Sequence, residues 1–510
     1  MRILRELLAV AGKKAVLDRL NDKNGASLTR KLIELAEDPD LSEDNVAKRL
    51  YGPTANRKLA AYKTLKSRLK EIMIVAIQKG KVMELDYSNY NAAYESGFRQ
   101  LFTIQILLVS GAYNAAREIA KQTFYSVREY EIIPLNHSLS NHLAYLHLGV
   151  GYNEQLVKKY NDINRYYSKA LYELSKLDNR YREVRDMTYA HRKTFSEVGR
   201  RTLEYLEEFK ESRKTYEHVS QFQGMVYSLE ITGLMYAGKY REAIESSKKG
   251  EKVLRNCKGA SHSVINFLLL NRLESILKAE NFELGRSEIA SAYEVLPKNS
   301  INGIKVVEYA IRLGLRMQEF DYAYLALANL NRRLINRLLT PRHQEYWKIW
   351  EAYVNFLVVA GRIEPKEDWA KLPKFKFARF FNNVPSYSRN KNGMNIPILI
   401  LQALYFIVEG KYGKVVDRTE ALERYCSRYL KDDENLRHNC FFKLLVITVQ
   451  ANFHKGATER KAKTVYNRMI NAKERSIDIE IVPYEVLWDI VLEHLTVERR
   501  ARAVSKDHAG

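Results

Sequence analysis

The chain has 510 residues, with 83 Lys or Arg against 61 Asp or Glu, and therefore a formal net charge of +22 at pH 7. This length exceeds one ordinary hydrophobic core and indicates several domains or a repeat array. The charge favours a polyanionic partner such as nucleic acid, an anionic membrane surface or an acidic protein. Hydrophobic residues make up 46% of the chain beside only 10 Pro and 23 Gly, which excludes a mainly disordered protein.

Cysteine usage and the apolar runs favour a cytoplasmic location. The chain has three cysteines: Cys257, Cys426 and Cys440. They are too few and too widely spaced for a disulfide framework, which suits a reducing compartment. Arg5 and Glu6 interrupt the first apolar run, unlike in a secretory signal. The longest apolar run, from Ile396 to Val408, is shorter than the roughly 20 residues that a membrane span needs. We therefore expect a cytoplasmic protein with no membrane partner.

Start and stop signals predict three short helices in the first 80 residues. The first follows Ser27 and stops before Pro39, and the second begins with Ser42 as its N-cap and ends at the Gly-Pro pair 52–53. The third runs from about Asn56. Its apolar residues fall on one face, which predicts a single packing stripe. The stripe consists of Tyr62, Leu65, Leu69, Ile72 and Ala76.

The second and third of these helices are basic. No Asp or Glu occurs between Asn45 and Lys70, whereas a solvated helix usually mixes its charges. The candidate nucleic-acid-binding residues are Lys48, Arg49, Arg57, Lys58, Lys63, Lys66, Arg68 and Lys70. Three helices of which the last is basic resemble the helix-turn-helix DNA-binding domains, over about residues 27–81. The resemblance implies contacts to phosphates. A solvated cap on the following domain, or docking onto an acidic protein, stays open.

One turn pattern recurs downstream. An apolar helix ends, a small or polar pair turns the chain, an aromatic residue comes next and a second helix begins. The aromatic residues are Tyr113, Tyr240, Phe282 and Tyr412, with a weaker copy at Phe320. Glycine precedes the first two by two positions, as Gly111 and Gly238, and alanine follows them by three, as Ala116 and Ala243. This order resembles the tetratricopeptide repeat, although the period here is longer than the roughly 34 residues of that family.

The resemblance implies an all-α fold in which helix pairs stack because none can bury its apolar face alone. Such a stack offers an extended surface to a protein or peptide. We expect a basic helical domain at 1–85 and a tetratricopeptide-like solenoid at 86–497. An irregular insertion near 365–395 and a flexible tail at 498–510 complete the expected organisation. An irregular helical domain with coincidental turns is the alternative.

A second cationic stretch, from Lys371 to Gly393, contains no acid and is interrupted by Pro373 and Pro385, which indicate an insertion between repeats. Its candidate residues are Lys374, Phe375, Lys376, Arg379, Arg389 and Lys391. Cations beside aromatic rings suit single-stranded nucleic acid, whose phosphates pair and whose bases stack. The alternative is that the aromatic rings pack into the neighbouring helices.

No catalytic, metal or cofactor site is predicted. The chain has no phosphate-cradling loop of the Walker type and no Cys-x-x-Cys pair. His137, His142 and His147 recur every five residues, which places neighbours about 140° apart around a helix and precludes a shared metal face. We therefore expect a protein that is not an enzyme and uses no cofactor.

The layout resembles the helix-turn-helix plus tetratricopeptide regulators of bacteria, some of which sense peptides. That resemblance implies a regulator whose first domain engages nucleic acid and whose solenoid receives a protein or peptide. The rival class is an interaction scaffold that assembles a multiprotein complex without binding DNA. The sequence leaves the target, the partner and the oligomeric state open.

Overall fold

The computed structural model describes residues 1–20, 26–38, 41–52, 59–79, 89–149, 152–189, 194–260, 262–382, 395–417, 436–472 and 479–496. Within these ranges the regular structure is helical apart from an isolated bridge between His454 and Thr496. The expected all-α class is thus confirmed. The chain divides into two compact units, the N-terminal unit Met1–Arg128 and the C-terminal unit Glu129–Gly510. The expected boundary after residue 85 and the expected tail lie outside the described residues.

Seven α-helices are described in the N-terminal unit. They are α1 (Arg2–Ala11), α2 (Lys13–Leu17), α3 (Ala26–Glu37), α4 (Glu43–Tyr51), α5 (Leu59–Lys79), α6 (Asn89–Val109) and α7 (Tyr113–Val127). The three helices predicted from the sequence correspond to α3, α4 and α5. The first two helices also contribute to the core of α3–α5, through Leu4, Leu8 and Val16. Five helices therefore share this core, where the sequence indicated three.

The predicted packing stripe of α5 is confirmed. Tyr62, Leu69 and Ala76 are buried, and Leu65 and Ile72 are partly buried against the same core. The N-cap of α4 is also as predicted, because Asn45 N donates to Ser42 Oγ at 3.3 Å. The sequence patterns thus predicted correctly which face of α5 packs and where α4 begins.

Arg5 links α1 to the end of α3. Its Nε donates to Ala36 O at 3.1 Å, and its Nη2 donates to Asp38 O at 2.6 Å and to Leu41 O at 2.7 Å. The last carbonyls of a helix have no partner within the helix and need donors from elsewhere. The guanidinium supplies them and carries a favourable charge for a helix C-terminus. Arg5 is therefore a structural cation.

The C-terminal unit begins with a short 3-10 helix that spans its boundary, Arg128–Tyr130. Its first described α-helices are α8 (Ile133–Leu146), α9 (Glu154–Tyr189), α10 (Phe195–Glu207), α11 (Lys210–Thr215), α12 (Ser220–Tyr236), α13 (Tyr240–Asn256), α14 (His262–Lys278), α15 (Phe282–Val295) and α16 (Ile301–Arg316). The remaining ones are α17 (Phe320–Ala328), α18 (Arg332–Leu338), α19 (Pro341–Val359), α20 (Phe377–Asn382), α21 (Asn395–Val408), α22 (Leu436–Gln450), α23 (Lys455–Ile470) and α24 (Tyr484–Glu493). Packing is mainly between neighbours: α14 contacts the two helices before it and the two after it.

The recurring turn has a defined hydrogen-bond pattern. After α12, Lys239 N donates to Leu234 O at 2.8 Å and Gly238 N donates to Met235 O at 3.1 Å. Gly238 has a φ of 73°, in the left-handed region. These three features define the Schellman motif, which satisfies carbonyls that the end of the helix leaves without partners.

The left-handed residue recurs at every predicted turn and at two further ones. It is Gly111 (φ 74°), Gly238 (73°), Glu280 (53°), Gln318 (65°), Gly361 (70°), Gly410 (68°) and Asn452 (52°). The aromatic residue of the sequence pattern is absent at the additional turns, where Ile363 and His454 occupy its position. The backbone conformation, and not the aromatic ring, is thus the feature shared by all seven turns.

The expected insertion near 365–395 is not wholly irregular. Residues 377–382 form α20, and its Phe377, Phe380 and Phe381 are buried in the core that α19 and α21 share. Pro373 marks a break between helices, yet the chain after this proline returns to the core at α20. Residues 383–394 lie outside the described part of the chain.

Candidate nucleic-acid and partner-binding surfaces

The α4 and α5 helices carry exposed cations beside a separate packing stripe. Lys48 and Arg49 lie in the last turn of α4, where the helix dipole favours positive charge. Lys63, Arg68 and Lys70 are exposed on α5, on either side of the buried stripe. None of these five side chains forms an ion pair within the described residues. They leave an uncompensated positive surface, which we call the basic surface.

Lys66 differs from the other cations of α5. Its Nζ forms an ion pair with Glu43 Oε1, and Glu43 Oε2 lies 3.1 Å from the amino group of Met1. The hydrogen bond from Lys66 lowers the pKa of Glu43, against the opposing effect of partial burial. The carboxylate that compensates Lys66 comes from just outside the acid-free stretch. Two further predicted residues, Arg57 and Lys58, lie outside the described residues.

Aromatic rings of the second cationic stretch pack against protein. The Phe375 ring lies 4.8 Å from the Phe377 ring, and Phe377 stacks on Tyr405 at 4.3 Å. Packing into the neighbouring helices, the alternative to nucleic-acid stacking, is thus confirmed for Phe377 and its helix. The candidate cations Lys374, Lys376 and Arg379 are exposed, as is Lys371, while Arg389 and Lys391 lie outside the described residues. Bases cannot stack on ring faces that the core already covers.

A cleft of about 680 Å³ is lined by α10, α11, α12 and α13 in the C-terminal unit. Leu203, Leu206, Val226 and Leu234 give it an apolar floor. Charged side chains of both signs surround this floor: Glu207, Lys210, Arg213, Glu230, Arg241, Glu242, Glu245 and Lys249. An apolar floor with a charged rim suits an amphipathic peptide or helix. We call it the α10–α13 cleft.

Some of the rim charges compensate each other and others do not. Ion pairs join Arg213 to Glu230 at 2.8 Å, Lys210 to Glu207 at 3.4 Å and Glu242 to Lys239 at 3.4 Å. Arg241, Glu245 and Lys249 form no ion pair among the residues that the structure describes. Ser246 is buried at the cleft, and its Oγ has no hydrogen-bond partner there. Sequence reasoning missed these residues, although spacing by four along α13 marks Arg241, Glu245 and Lys249 as one exposed face.

A buried charged cluster in the C-terminal unit is structural. Arg437 donates from Nε to Glu480 Oε2 at 2.8 Å, from Nη1 to Met469 O at 2.9 Å and from Nη2 to Glu480 Oε1 at 2.7 Å. Glu485 accepts a further bond at 2.9 Å. Burial works against the charge, but the two carboxylates raise the pKa of Arg437 above its ordinary value. Every guanidinium nitrogen of Arg437 thus has a partner, which leaves none for a ligand.

Beside this cluster, His438 Nδ1 lies 2.6 Å from Tyr484 Oη. Burial lowers the pKa of His438 to about 4, with a smaller contribution in the same direction from the neighbouring Arg437. The imidazole is therefore neutral at pH 7.

The described residues contain no group of three His, Cys, Asp or Glu that could hold a metal ion. His137, His142 and His147 do not form such a group. In the same part of the chain, no helix is long and apolar enough to cross a membrane. Comparison with protein families, with curated proteins and with solved structures finds no match for this chain.

Proposed function

We propose that the protein is a nucleic-acid-associated regulator whose helical repeats bind a protein or peptide partner. The observation that carries the proposal is the basic surface. Its five cations, Lys48, Arg49, Lys63, Arg68 and Lys70, are exposed and uncompensated within the described residues, while a different face of α5 packs the core. The helix dipole accounts for Lys48 and Arg49 at the end of α4, but Lys63, Arg68 and Lys70 have no ionic partner within the described residues, and like charges disfavour an isolated helix. Contacts to phosphates give them a role.

The basic surface suits phosphates better than base edges. Its cations come from two helices and include three lysines, which bind phosphate as point charges. Such contacts supply affinity without sequence information, and they weaken as salt rises because bound counterions are released. The proposal thus specifies a salt-dependent association with nucleic acid and leaves sequence readout to other residues.

The partner half of the proposal rests on the α10–α13 cleft. Its apolar floor can receive apolar side chains of a peptide, and Arg241 and Lys249 have no ionic partner within the described residues. A peptide with an acidic group beside its apolar side chains would compensate these two cations, and a basic group on it would compensate Glu245 between them. The repeated Schellman turns support a tetratricopeptide-like stack as the scaffold of this cleft.

The nucleic-acid half is tested by measuring affinity of the full chain for fluorescent duplex and single-stranded oligonucleotides over a series of salt concentrations. We expect binding that weakens linearly in log affinity against log salt. The partner half is tested by capture from native extract with the parent chain and with Arg241→Glu/Lys249→Glu. The matched control is Arg165→Glu, an exposed residue of α9 outside the cleft. Absence of nucleic-acid binding would remove the first half, and equal capture by all three chains would remove the second.

An interaction scaffold without nucleic-acid binding is the second candidate. The α10–α13 cleft favours it, because a mixed-charge rim suits a protein and not a polyanion. In that case the basic surface docks onto an acidic face of another protein, and the oligonucleotides do not bind. Either function is proposed for the cytoplasm, where thiols such as the buried Cys440 stay reduced.

A further inference from the structure

A second acid-poor stretch lies in the C-terminal unit. Residues 436–472 contain seven Lys or Arg and only one Asp or Glu, which is Glu459. They include α22, the turn that follows it and α23. Five of the cations are exposed and form no ion pair within the described residues: Lys443, Arg460, Lys461, Lys463 and Arg468.

The acids near α23 lie on one side of that helix. Glu459 lines a cavity together with Asp489 and Glu493 of α24. Tyr466 lies about 20° from Glu459 around the helix axis. Burial raises the pKa of Tyr466, and Asp489 and Glu485 act in the same direction. This side of α23 therefore faces the carboxylates of α24.

The exposed cations of α23 differ in their distance from that acidic side. Lys463 lies about 40° from Glu459 around the helix axis, at the spacing of four residues that favours an ion pair. Arg460 lies about 100° from Glu459, and Lys461 and Arg468 lie about 160° and 180° from it. The acids of α24 therefore leave these three cations uncompensated.

Helix α22 adds a fourth cation on the same side. Lys461 Nζ donates to the carbonyl oxygen of Gln450, the last residue of α22, at 3.4 Å. Burial raises the pKa of Cys440, while Arg468 and Lys443 act in the opposite direction, which places both charges near one thiol. Lys443 thus lies on the side of α23 that carries Arg468. We define the α22–α23 surface by its four cations, Lys443, Arg460, Lys461 and Arg468.

Several exposed cations of α9–α11 differ from those of the α22–α23 surface, because they have an acidic partner three or four residues away. Such pairs join Arg165 to Asp162, Arg182 to Asp178, Arg200 to Glu204 and Lys214 to Glu211. Opposite charges at this spacing support a solvated helix. The α22–α23 surface has no such pairs within the described residues, so support of its own helices does not explain its charges.

The α22–α23 surface suits phosphates better than it suits a protein. A protein interface has an apolar centre from which charges are depleted. The exposed apolar residue of α23, Ile470, lies about 160° from Arg468 and thus away from the surface. Thr464 is exposed between Arg460 and Arg468, and hydroxyl groups beside arginine and lysine are common donors to phosphate oxygens.

We propose that the C-terminal unit binds the phosphate backbone of nucleic acid through the α22–α23 surface. This goes beyond the proposed function, which assigns nucleic acid to the N-terminal unit and a protein or peptide to the C-terminal one. It depends on neither of those assignments. Because the two cationic surfaces belong to different units, each can be removed while the other stays intact.

The test is the affinity of full-chain variants for fluorescent duplex and single-stranded oligonucleotides over a series of salt concentrations. A background chain first removes the basic surface. Its substitutions are Lys48→Ala, Arg49→Ala, Lys63→Ala, Arg68→Ala and Lys70→Ala. We expect the background chain to bind, and the addition of Lys461→Ala/Arg468→Ala to lower the slope of log affinity against log salt by about two, one for each phosphate contact.

The matched control adds Arg200→Ala/Lys214→Ala to the same background chain. It removes the same charge, but from exposed cations that have acidic partners, and leaves the slope unchanged. All the replaced side chains are exposed on helices, and alanine has the highest helix propensity, so circular dichroism should show that each variant keeps the parental helix content.

The outcomes separate this proposal from the proposed function. A background chain that binds no oligonucleotide at about 0.1 M salt, or equal slopes for Lys461→Ala/Arg468→Ala and the control, would overturn the α22–α23 surface as a nucleic-acid site. Binding of the background chain to anionic phospholipid vesicles but to no oligonucleotide would overturn it in favour of a membrane. If the background chain keeps the parental affinity and Lys461→Ala/Arg468→Ala lowers it, the basic surface fails and the α22–α23 surface stands.

Discussion

Replacing Glu480 with glutamine tests the buried cluster of the C-terminal unit most sharply. Glu480 is fully buried and Arg437 is 1% exposed. Both oxygens of Glu480 accept hydrogen bonds, Oε2 from Arg437 Nε at 2.8 Å and Oε1 from Arg437 Nη2 at 2.7 Å and Tyr484 N at 3.1 Å. Glutamine keeps the size of the side chain but replaces one of these acceptors with an amide donor. Glu480→Gln therefore removes a negative charge and places an amide N–H against an N–H donor of Arg437 or Tyr484.

The size of the effect depends on the partners that stay. Removing one member of a buried ion pair costs about 3–5 kcal/mol, since the other charge loses its compensation. Arg437 retains Glu485 at 2.9 Å. Arg316 Nη1 also lies 3.6 Å from Glu480 Oε1, and Arg316 retains Glu280 at 2.7 Å. We therefore expect Glu480→Gln to lower the free energy of unfolding by about 3 kcal/mol, the lower end of this range.

Urea unfolding followed by tryptophan fluorescence measures this loss in the right unit. The four tryptophans, Trp347, Trp350, Trp369 and Trp488, all belong to the C-terminal unit. The same substitution at Glu211, which is 85% exposed and pairs with Lys214 at 3.3 Å, is the control. We expect the control to stay within about 0.5 kcal/mol of the parent. Equal unfolding midpoints for Glu480→Gln and Glu211→Gln would refute the structural role of the cluster.

Three further predictions concern stability. His438 has a pKa of about 4 in the folded state and near 6.5 in the unfolded state. Below pH 7 the unfolded state therefore binds more protons, and the folded state loses stability. In urea titrations, the free energy of unfolding should fall by about 2 kcal/mol more in the parent than in His438→Gln between pH 7 and pH 5. Gly238→Ala should lower, and Gln318→Gly should raise, the free energy of unfolding by about 1 kcal/mol, because both positions have left-handed φ. Opposite signs in the two titrations are required. Phe377→Ala should cost about 3–5 kcal/mol by the same assay, because its buried ring stacks on Tyr405. A neutral effect would place α20 outside the core.

The repeated turn shows how far sequence reasoning extends. Glycine two positions before an aromatic residue located the turns at Gly111 and Gly238, because glycine adopts the left-handed conformation without strain. The turns at Gly361 and Asn452 were missed, since the aromatic residue there is replaced. The aromatic ring is not required for the turn, since Tyr113 is 46% exposed and the Schellman bonds need only the backbone conformation. A search for glycine at the end of an apolar helix, without the aromatic residue, would have found the turn at Gly361.

Interactions between distant residues could not be predicted in this way. Lys66 pairs with Glu43, and Arg437 pairs with Glu480 across 43 residues of sequence. Local patterns locate helices and their apolar faces, but the partner of a charge depends on which helices pack together. The same limit applies to Phe377, because the prolines around it signal an end of helices and carry no information on burial.

The comparison of Lys63 with Lys66 tests the nucleic-acid proposal most directly. Both lysines lie on the same flank of α5, but Lys63 is exposed without an ionic partner among the described residues, and Lys66 is paired with Glu43. Each phosphate contact contributes about one unit to the slope of log affinity against log salt. We predict that Lys63→Ala lowers this slope by about one and that Lys66→Ala leaves it unchanged, because Glu43 already compensates Lys66. Equal slopes for the parent and Lys63→Ala, or no binding of duplex or single-stranded nucleic acid at about 0.1 M salt, would contradict the proposal.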